Sequence, residues 1–418
     1  MVKENTMKQT EIGLLPEDWE VVQIKDVTNH LTNGFVGVAK THYTEKDSGI
    51  TYLQGFNVEE NYFNFTGVKK VTKEFHLSHL RSSLKYKDLL TVQTGDVGLT
   101  TFVPKELEGA NCHALIISRY NTNKVESKFV SFYLNSKQGR NRLKDIETGT
   151  TMKHINVGEF QYFQIPLPPL PIQEAIAEAL SDADAWIESL EKLIAKKRLI
   201  KQGAMQELLT PKEDWEEKTI FEIADKKRDL FNDGDWIEAV HIKEEGIRLI
   251  QTGNIGVGRF LNRNNKKYIS EKSFFDLKCK EILEGDLLIC RLAEPAGRVC
   301  IFPKTEDLKS VTSVDVTIYR PDENIFDRRI LLYLLSTDEW FKQVLEQVGG
   351  TTHKRISRGN LGKIKIKIPN SLSEQTRIAT ILSDMDAELE ALEAQLGKAR
   401  KVKQGMMQEL LTGRVRLV

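Results

Sequence analysis

A chain of 418 residues with 60 basic and 60 acidic side chains, zero net charge and 40% apolar content describes a globular protein too long for one ordinary core, so two or more domains are expected. Its apolar runs fall short of the ~18–20 residues that span a bilayer, and the N-terminus lacks a signal-peptide pattern. The four cysteines (Cys112, Cys279, Cys290, Cys300) include no Cys-x-x-Cys pair, so a cytoplasmic protein with reduced thiols is expected, and any nucleic-acid surface has to be local.

The first structured stretch runs through Gly13-Leu14-Leu15-Pro16-Glu17-Asp18-Trp19 into a strand-like Glu20 to Ile24. Short β-branched runs follow (Leu89 to Val92, Ala114 to Ile117), punctuated by Gly, Asn and Pro turn signals. Phe132-Tyr133-Leu134 reads as a short helix, and an extended proline-marked segment closes the first globular region. From Pro171 to Thr210 the pattern changes to a long amphipathic helix. Ile172, Ala179, Trp186, Leu193 and Ile200 recur at heptad spacing, with Ile176, Ala183 and Leu190 interleaved. Pro171 suits a first helical turn, and the basic residues of the last third complement the negative helix end.

The chain then repeats itself. Glu213-Asp214-Trp215 answers to Glu17-Asp18-Trp19, Asn254 to Asn57, Lys266-Lys267 to Lys69-Lys70, and Asp286-Leu287-Leu288 to Asp88-Leu89-Leu90. Leu332-Tyr333-Leu334 is set opposite Phe132-Tyr133-Leu134, and Gly350-Thr351-Thr352-x-Lys354 opposite Gly149-Thr150-Thr151-x-Lys153. The second long helix, Ser373 to Thr412, carries rows through Ile378, Met385 and Leu392 and through Leu382, Leu389 and Leu396. Helix-pair packing is therefore expected from Ile176, Ala183, Trp186, Leu190 and Leu193 on one helix and Ile378, Met385, Leu392 and Leu396 on the other. Each globular half reads as mixed α and β. Boundaries fall at 1–165 and 211–370 for the two halves and at 166–210 and 371–418 for the helices.

Catalytic motifs do not emerge from this pattern. Gly362-Lys363 and Gly397-Lys398 lack the spacing and hydroxyl of a phosphate-cradling loop, and Ile255 to Arg259 reads as a hairpin turn. His76-x-x-His79 and Cys112-His113 approach metal-ligand spacing without a second pair, so neither metal nor cofactor is expected. Scattered carboxylates leave a nuclease-like site open.

What remains is binding. Arg259, Asn262, Arg263, Asn264, Lys266 and Lys267 combine base-reading and phosphate-positioning side chains in one glycine-bounded loop. The counterpart, Asn57 to Lys70, ends in Lys69 and Lys70 but is acidic and aromatic before them (Glu59, Glu60, Tyr62, Phe63, Phe65). Thr150, Thr151, Lys153 and His154, and in the repeat Thr351, Thr352, His353, Lys354 and Arg355, offer hydroxyls and cations beside glycine, a good phosphate environment. Solvated turns are the competing reading of each stretch.

Taken with Ile12-Gly13-x-x-Pro16-x-x-Trp19, with Ile165-Pro166-Leu167-Pro168-Pro169-Leu170-Pro171-x-Gln173, and with Leu-Leu-Thr at both helix ends, the duplicated order resembles the specificity subunit of type I restriction–modification systems. One departure is Ile368-Pro369-Asn370-Ser371, proline-poor beside its counterpart. The resemblance implies an α+β, pseudo-twofold chain whose two target-recognition domains are separated by long antiparallel helices. It implies a non-catalytic subunit in which each domain reads half of a bipartite double-stranded DNA site. The helices would act as spacer and dock two methyltransferase subunits, and motor–nuclease restriction subunits would join through them. The alternatives are a self-sufficient nuclease or methyltransferase, and a coiled-coil scaffold without DNA affinity.

Overall fold

The computed structural model describes residues 6–150, 153–292, 294–350 and 354–417. It divides into two compact units. One comprises Met1–Lys192 with Ala394–Val418, the other Leu193–Glu393. Each unit therefore takes a globular domain, part of the long helix that follows it, and part of the other long helix, which differs from boundaries drawn at the helix ends.

The strands of the first unit are β1 (Met7–Thr10), β2 (Gly13–Pro16), β3 (Glu20–Gln23), β4 (Thr28–Asn33), β5 (Ile50–Leu53), β6 (Lys69–Val71), β7 (Leu89–Val92), β8 (Thr100–Phe102), β9 (Asn111–Cys112), β10 (Leu115–Tyr120) and β11 (Gln164–Leu167). Its helices are α1 (Ile24–Val27), α2 (Lys73–Ser78), α3 (Ser127–Asn135), α4 (Lys137–Lys144), α5 (Val157–Phe160) and the start of α6 (Leu170–Leu208). The central sheet has the order β4-β10-β7-β8, all antiparallel. Alternation along its strands feeds two cores. Leu89 and Ile116 face the helices beside Phe129, Leu134 and Leu180, while Leu90, Leu115 and Ile117 face the other way beside Leu53 and Val103. A sheet buried on both faces needs apolar side chains at consecutive positions, which is why β7 opens with Leu89-Leu90 and β10 with Leu115-Ile116-Ile117. A smaller sheet, β6-β5-β9, stands on the face away from the helices, with β5 and β9 parallel.

The second unit repeats this plan. Its strands are β12 (Trp215–Thr219), β13 (Phe231–Asp233), β14 (Ile242–Lys243), β15 (Ile247–Ile250), β16 (Lys267–Ile269), β17 (Leu287–Cys290), β18 (Val299–Ile301), β19 (Ser310–Thr312), β20 (Val316–Tyr319) and β21 (Lys365–Pro369). Its helices are α7 (Ile220–Ile223), α8 (Glu271–Asp276), α9 (Arg328–Leu334), α10 (Asp338–Glu346), α11 (Arg358–Lys363) and the start of α12 (Leu372–Leu410). The sheet β13-β20-β17-β18 reproduces β4-β10-β7-β8, and β16-β15-β19 reproduces β6-β5-β9 with β14 added at its edge.

Buried polar side chains explain why the anchors recur. Asp88 and Asp286 are fully buried; each takes a bidentate guanidinium, from Arg119 and Arg320 respectively, and a backbone N–H, from Lys85 and Leu283. Gln173 Nε2 donates to the carbonyls of Lys124 and Pro168 and its Oε1 accepts from Glu126 N–H. Gln375 does the same with Ile325, Pro369 and Asp327, so the proline-poor junction keeps the bond. An unpaired polar group at any of these places would keep its full desolvation cost.

The registers also correct two sequence pairings. Glu126 and Asp327 cap α3 and α9, so Phe132 stands opposite Tyr333, one position from the sequence match. Strand pairing sets Tyr52 against Lys69 and Leu249 against Lys267, so Lys69 corresponds to Lys267 and Lys70 to Tyr268.

Within each unit the two long helices run antiparallel. In the first, Lys403 pairs with Asp184 and Arg400 with Glu191. In the second, Lys201 pairs with Asp386, Lys197 with Glu388 and Arg198 with Glu393. The exposed pairs (Arg400–Glu191, Arg198–Glu393) contribute about 0–1 kcal/mol each, so apolar burial does most to hold the helices. Much of that burial is against the domains. Ile176 and Leu180 belong to the first domain's core, and Ile378 and Leu382 to the second's. Leu190 is buried, and Ala183, Met385, Leu392 and Leu396 are half-buried. Trp186 and Leu193, expected in the seam, are 42% and 38% exposed. The heptad stripe is wider than the contact it serves.

Candidate nucleic-acid interface

Three loops meet at the C-terminal end of β7 in the first unit. The tip between β7 and β8 (93–99) receives the 148–154 loop through a bridge between Thr94 and His154, and Ile155 N–H donates to Gln93 O while Gln93 Nε2 donates back to Ile155 O. The third loop, 54–68, is fastened by Asn57, whose Nδ2 donates to Asn64 O and whose Oδ1 accepts from Gln54 N–H. Asn61, in left-handed backbone, accepts from Ser131 and Asn135 of α3. Gly98 also adopts left-handed backbone, and a Cβ there would stand 2.9 Å from Arg140 and Leu143, so the tip turns tightly onto α4.

The second unit builds the same convergence after β17. Leu292 bridges Arg355, Asn254 Nδ2 donates to Leu261 O, and Gly258 N–H donates to Val299 O. Arg298 clamps the cluster, donating to the carbonyls of Ile255, Thr252, Glu294 and Pro295.

The side chains on these matching frames differ sharply. In the second unit Arg259, Asn262, Arg263 and Asn264 are exposed and Lys266 and Lys267 half-buried. Among the described residues, none of the four cations has an ion-pair partner. In the first unit the loop presents Glu59, Glu60 and the exposed Tyr62 and Phe65. Burial, then Glu59, Glu191 and Glu60, push the Tyr62 phenol up. Lys69 is exposed, whereas Lys70 lies 3.7 Å from Asp47.

The 148–154 loop and its counterpart differ too. Lys153 pairs with Glu147 at 3.1 Å, His154 Nε2 lies 3.1 Å from Thr148 Oγ1, and Thr150 is exposed. Lys354 is exposed, and Arg355 pairs with Asp315 at 3.2 Å. Thr151, Thr351, Thr352 and His353 lie outside the described residues.

Sequence reasoning missed what lies beneath this end of the second unit. Arg291, 2% exposed, donates to Ile356 O and Val314 O and contacts Asp233 at 3.1 Å; Arg358 donates to Asn232. Burial pulls the Arg291 guanidinium down and Asp233 opposes it. By strand and loop register the first unit has Asn33, Gln93 and His154 where the second has Asp233, Arg291 and Arg355. The signal was a charge change between aligned repeat positions, which pattern matching discards as mismatch.

The histidine spacings resolve into hydrogen bonds. His79 Nδ1 lies 2.8 Å from Phe75 O, and His113 Nδ1 3.2 Å from Tyr52 Oη. Among the described residues, no three His, Cys, Asp or Glu side chains gather as a metal site, and no helix is long and apolar enough to cross a membrane.

Comparison with known proteins places this arrangement. The family described as Type I restriction modification DNA specificity domain matches twice, over residues 16–197 and 212–399. A chain described as the specificity subunit of the type I restriction enzyme MjaX of Methanocaldococcus jannaschii is 27% identical, over 99% of this chain and 98% of its own. The MjaVIII specificity subunit of the same organism is 25% identical over 99% and 97%. The type I restriction–modification S subunit from M. genitalium shares the fold with a TM-score of 0.60 at 16% identity, covering 94% of this chain and 96% of that one. With two matched copies spanning most of its length, the chain belongs to the type I restriction–modification DNA specificity family.

Proposed function

We propose that each globular domain reads one half of a bipartite, asymmetric double-stranded DNA target through its three-loop cluster. The observation that carries this reading is the contrast at the ends of β7 and β17: one frame, held by the same buried Asp–Arg and Asn bonds, presents acidic and aromatic residues in one unit and unpaired cations in the other. A framework kept while its exposed loops diverge suits two readers of different sequences. The residues assigned to DNA contact are Lys69, Lys70, Thr150, Lys153 and His154 in the first domain. In the second they are Arg259, Asn262, Arg263, Asn264, Lys266, Lys267, Lys354 and Arg355. Thr151, Thr351, Thr352 and His353 are assigned by sequence alone.

In this reading the antiparallel helices set the separation of the half-sites and dock two methyltransferase subunits, which methylate adenine. Motor–nuclease restriction subunits join through that complex, and this chain supplies recognition without catalysis in the cytoplasm. The test is a domain exchange. Replacing residues 1–165 with the first domain of another family member, then mapping methylated adenines, should change one half-site and leave the other intact. A change in both half-sites overturns the assignment of one half to each domain. Turnover of DNA by the purified chain alone, with magnesium or a methyl donor, overturns the non-catalytic role.

A further inference from the structure

The two units part company where the long helices end. In the first, the hairpin β1–β2 lies across the start of α4 and the end of α12. Gln138 Nε2 donates to Ile12 O at 2.7 Å, and Ile12 and Leu15 are buried in one cluster with Leu410 and Leu411. Gly413 sits so close to this hairpin that a Cβ would stand 2.4 Å from Pro16 Cγ.

In the second unit, among the described residues, no segment takes the place of this hairpin. Ser136 and Thr337 cap α4 and α10 through the N–H groups of Gly139 and Trp340, so Glu339 stands where Gln138 does. The helix-end repeat sets Pro211 where Gly413 is. The chain reaches β12 directly from α6 through Thr210 to Asp214, a stretch too short to fold back as a hairpin. What remains is a groove of about 820 Å³. Met205, Leu209, Leu334, Trp340 and Ile366 give it an apolar floor, and Asp338 and Glu339 form one edge. Lys365 and Lys367 stand on the other edge with Glu217, which pairs with Lys365 at 2.8 Å, whereas Asp338 and Glu339 have no ion-pair partner among the described residues, so the acidic charge lies on their edge.

We infer that this groove seats an apolar turn flanked by lysine or arginine, contributed by one methyltransferase subunit, in the place that β1–β2 fills in the first unit. The inference rests on the assembly proposed above and adds that two copies of one partner are held at non-equivalent sites. The first unit shows the shape of the occupant: two apolar side chains over the helix ends and a main-chain group facing position 138 or 339. Charge sets the difference. Gln138 donates to a carbonyl, whereas a carboxylate at 339 only accepts, so its occupant presents a cation or N–H. Burying an apolar anchor inside a charged rim is how a small contact gains both affinity and register.

The four native cysteines are buried, so Asp338→Cys supplies a single accessible thiol in the full chain. Adding the methyltransferase subunit should slow its reaction with a maleimide about tenfold or more, while Lys137→Cys, at the matching place in the filled first unit, keeps its rate. In the otherwise wild-type chain, Glu339→Lys should weaken uptake of one methyltransferase subunit by about tenfold, leaving a one-partner complex in native mass spectrometry. An unchanged rate at Asp338→Cys, or full uptake of two partners by Glu339→Lys, overturns the inference. Protection that rises with the chain's own concentration, without partner, places a second copy in the groove and also overturns it. Wild-type chain that binds no methyltransferase subunit overturns the assembly reading itself, a result distinct from the other three.

Discussion

The loop cluster after β7 and the one after β17 are fastened by the same kinds of bond and differ in almost everything they show to solvent. Asn57 and Asn254 tie their loops with matching donors and acceptors, and Asp88 and Asp286 anchor the sheets beneath with matching arginines. Above those bonds stand Glu59 and Glu60 on one side and Arg259 and Arg263 on the other. Residues that satisfy buried polar groups are constrained by the cost of leaving a partner orphaned, whereas loop side chains in water carry no such cost.

The largest effects are expected at the shared anchors. Asp286→Ala removes a fully buried carboxylate, leaves the half-buried Arg320 without its partner and should destabilise the second unit by about 3 kcal/mol or more. Asp88→Ala should do the same to the first. Denaturant unfolding followed by hydrogen exchange in each unit checks this, and an effect in only one would show that the frames are not equivalent. Gln375→Ala removes three hydrogen bonds and should cost about 1–3 kcal/mol, as should Gln173→Ala, measured the same way.

The loops should respond in opposite directions. Arg263→Ala or Lys267→Ala should weaken DNA binding by the partner-bound complex across all sequences, and flatten the salt dependence by about one unit of slope each. Glu59→Lys should steepen it by a similar amount. Unchanged slopes would return these residues to ordinary surface.

The smallest effects mark where the comparison ends. Trp186→Ala, at a half-exposed position, should shift stability by less than about 1 kcal/mol, which a melting curve resolves. Glu222, in a capping box with Thr219, has its carboxyl lowered to about 2, mainly by the Thr219 backbone N–H. Its folded value is below its unfolded one, so its stabilisation is complete above about pH 4.5 and disappears as pH falls through about 2. Wild type and Glu222→Gln should therefore differ in melting temperature near neutrality and converge in acid.

The duplication was legible because several of its identical residues, such as Asn57 and Asn254 or Asp88 and Asp286, hold buried bonds, and because the helix repeats are long. Register was less legible. The loop before β16 is one residue longer than the loop before β6, and nothing in Lys69-Lys70 or Lys266-Lys267 reveals where the extra residue sits. The helix seam was over-read, because heptad spacing registers an apolar stripe without saying whether a domain or a helix covers it. Ile176 and Ile378 turn to their domains, and Trp186 stays in water. Of the candidate interface, the loops were visible as composition, but the Arg291–Asp233–Arg358 layer was not, since its parts lie on separate strands and helices.

The way the long helices are divided also orders events during synthesis. The second unit, Leu193–Glu393, is continuous in the chain, so every residue it needs has been made once Glu393 emerges from the ribosome. The first needs Leu410 and Leu411 to complete a core begun at Ile12. The earliest-made domain thus completes its core after the second has all its residues, and until Leu410 and Leu411 emerge it exposes apolar surface of Ile176 and Leu180 that they help to cover.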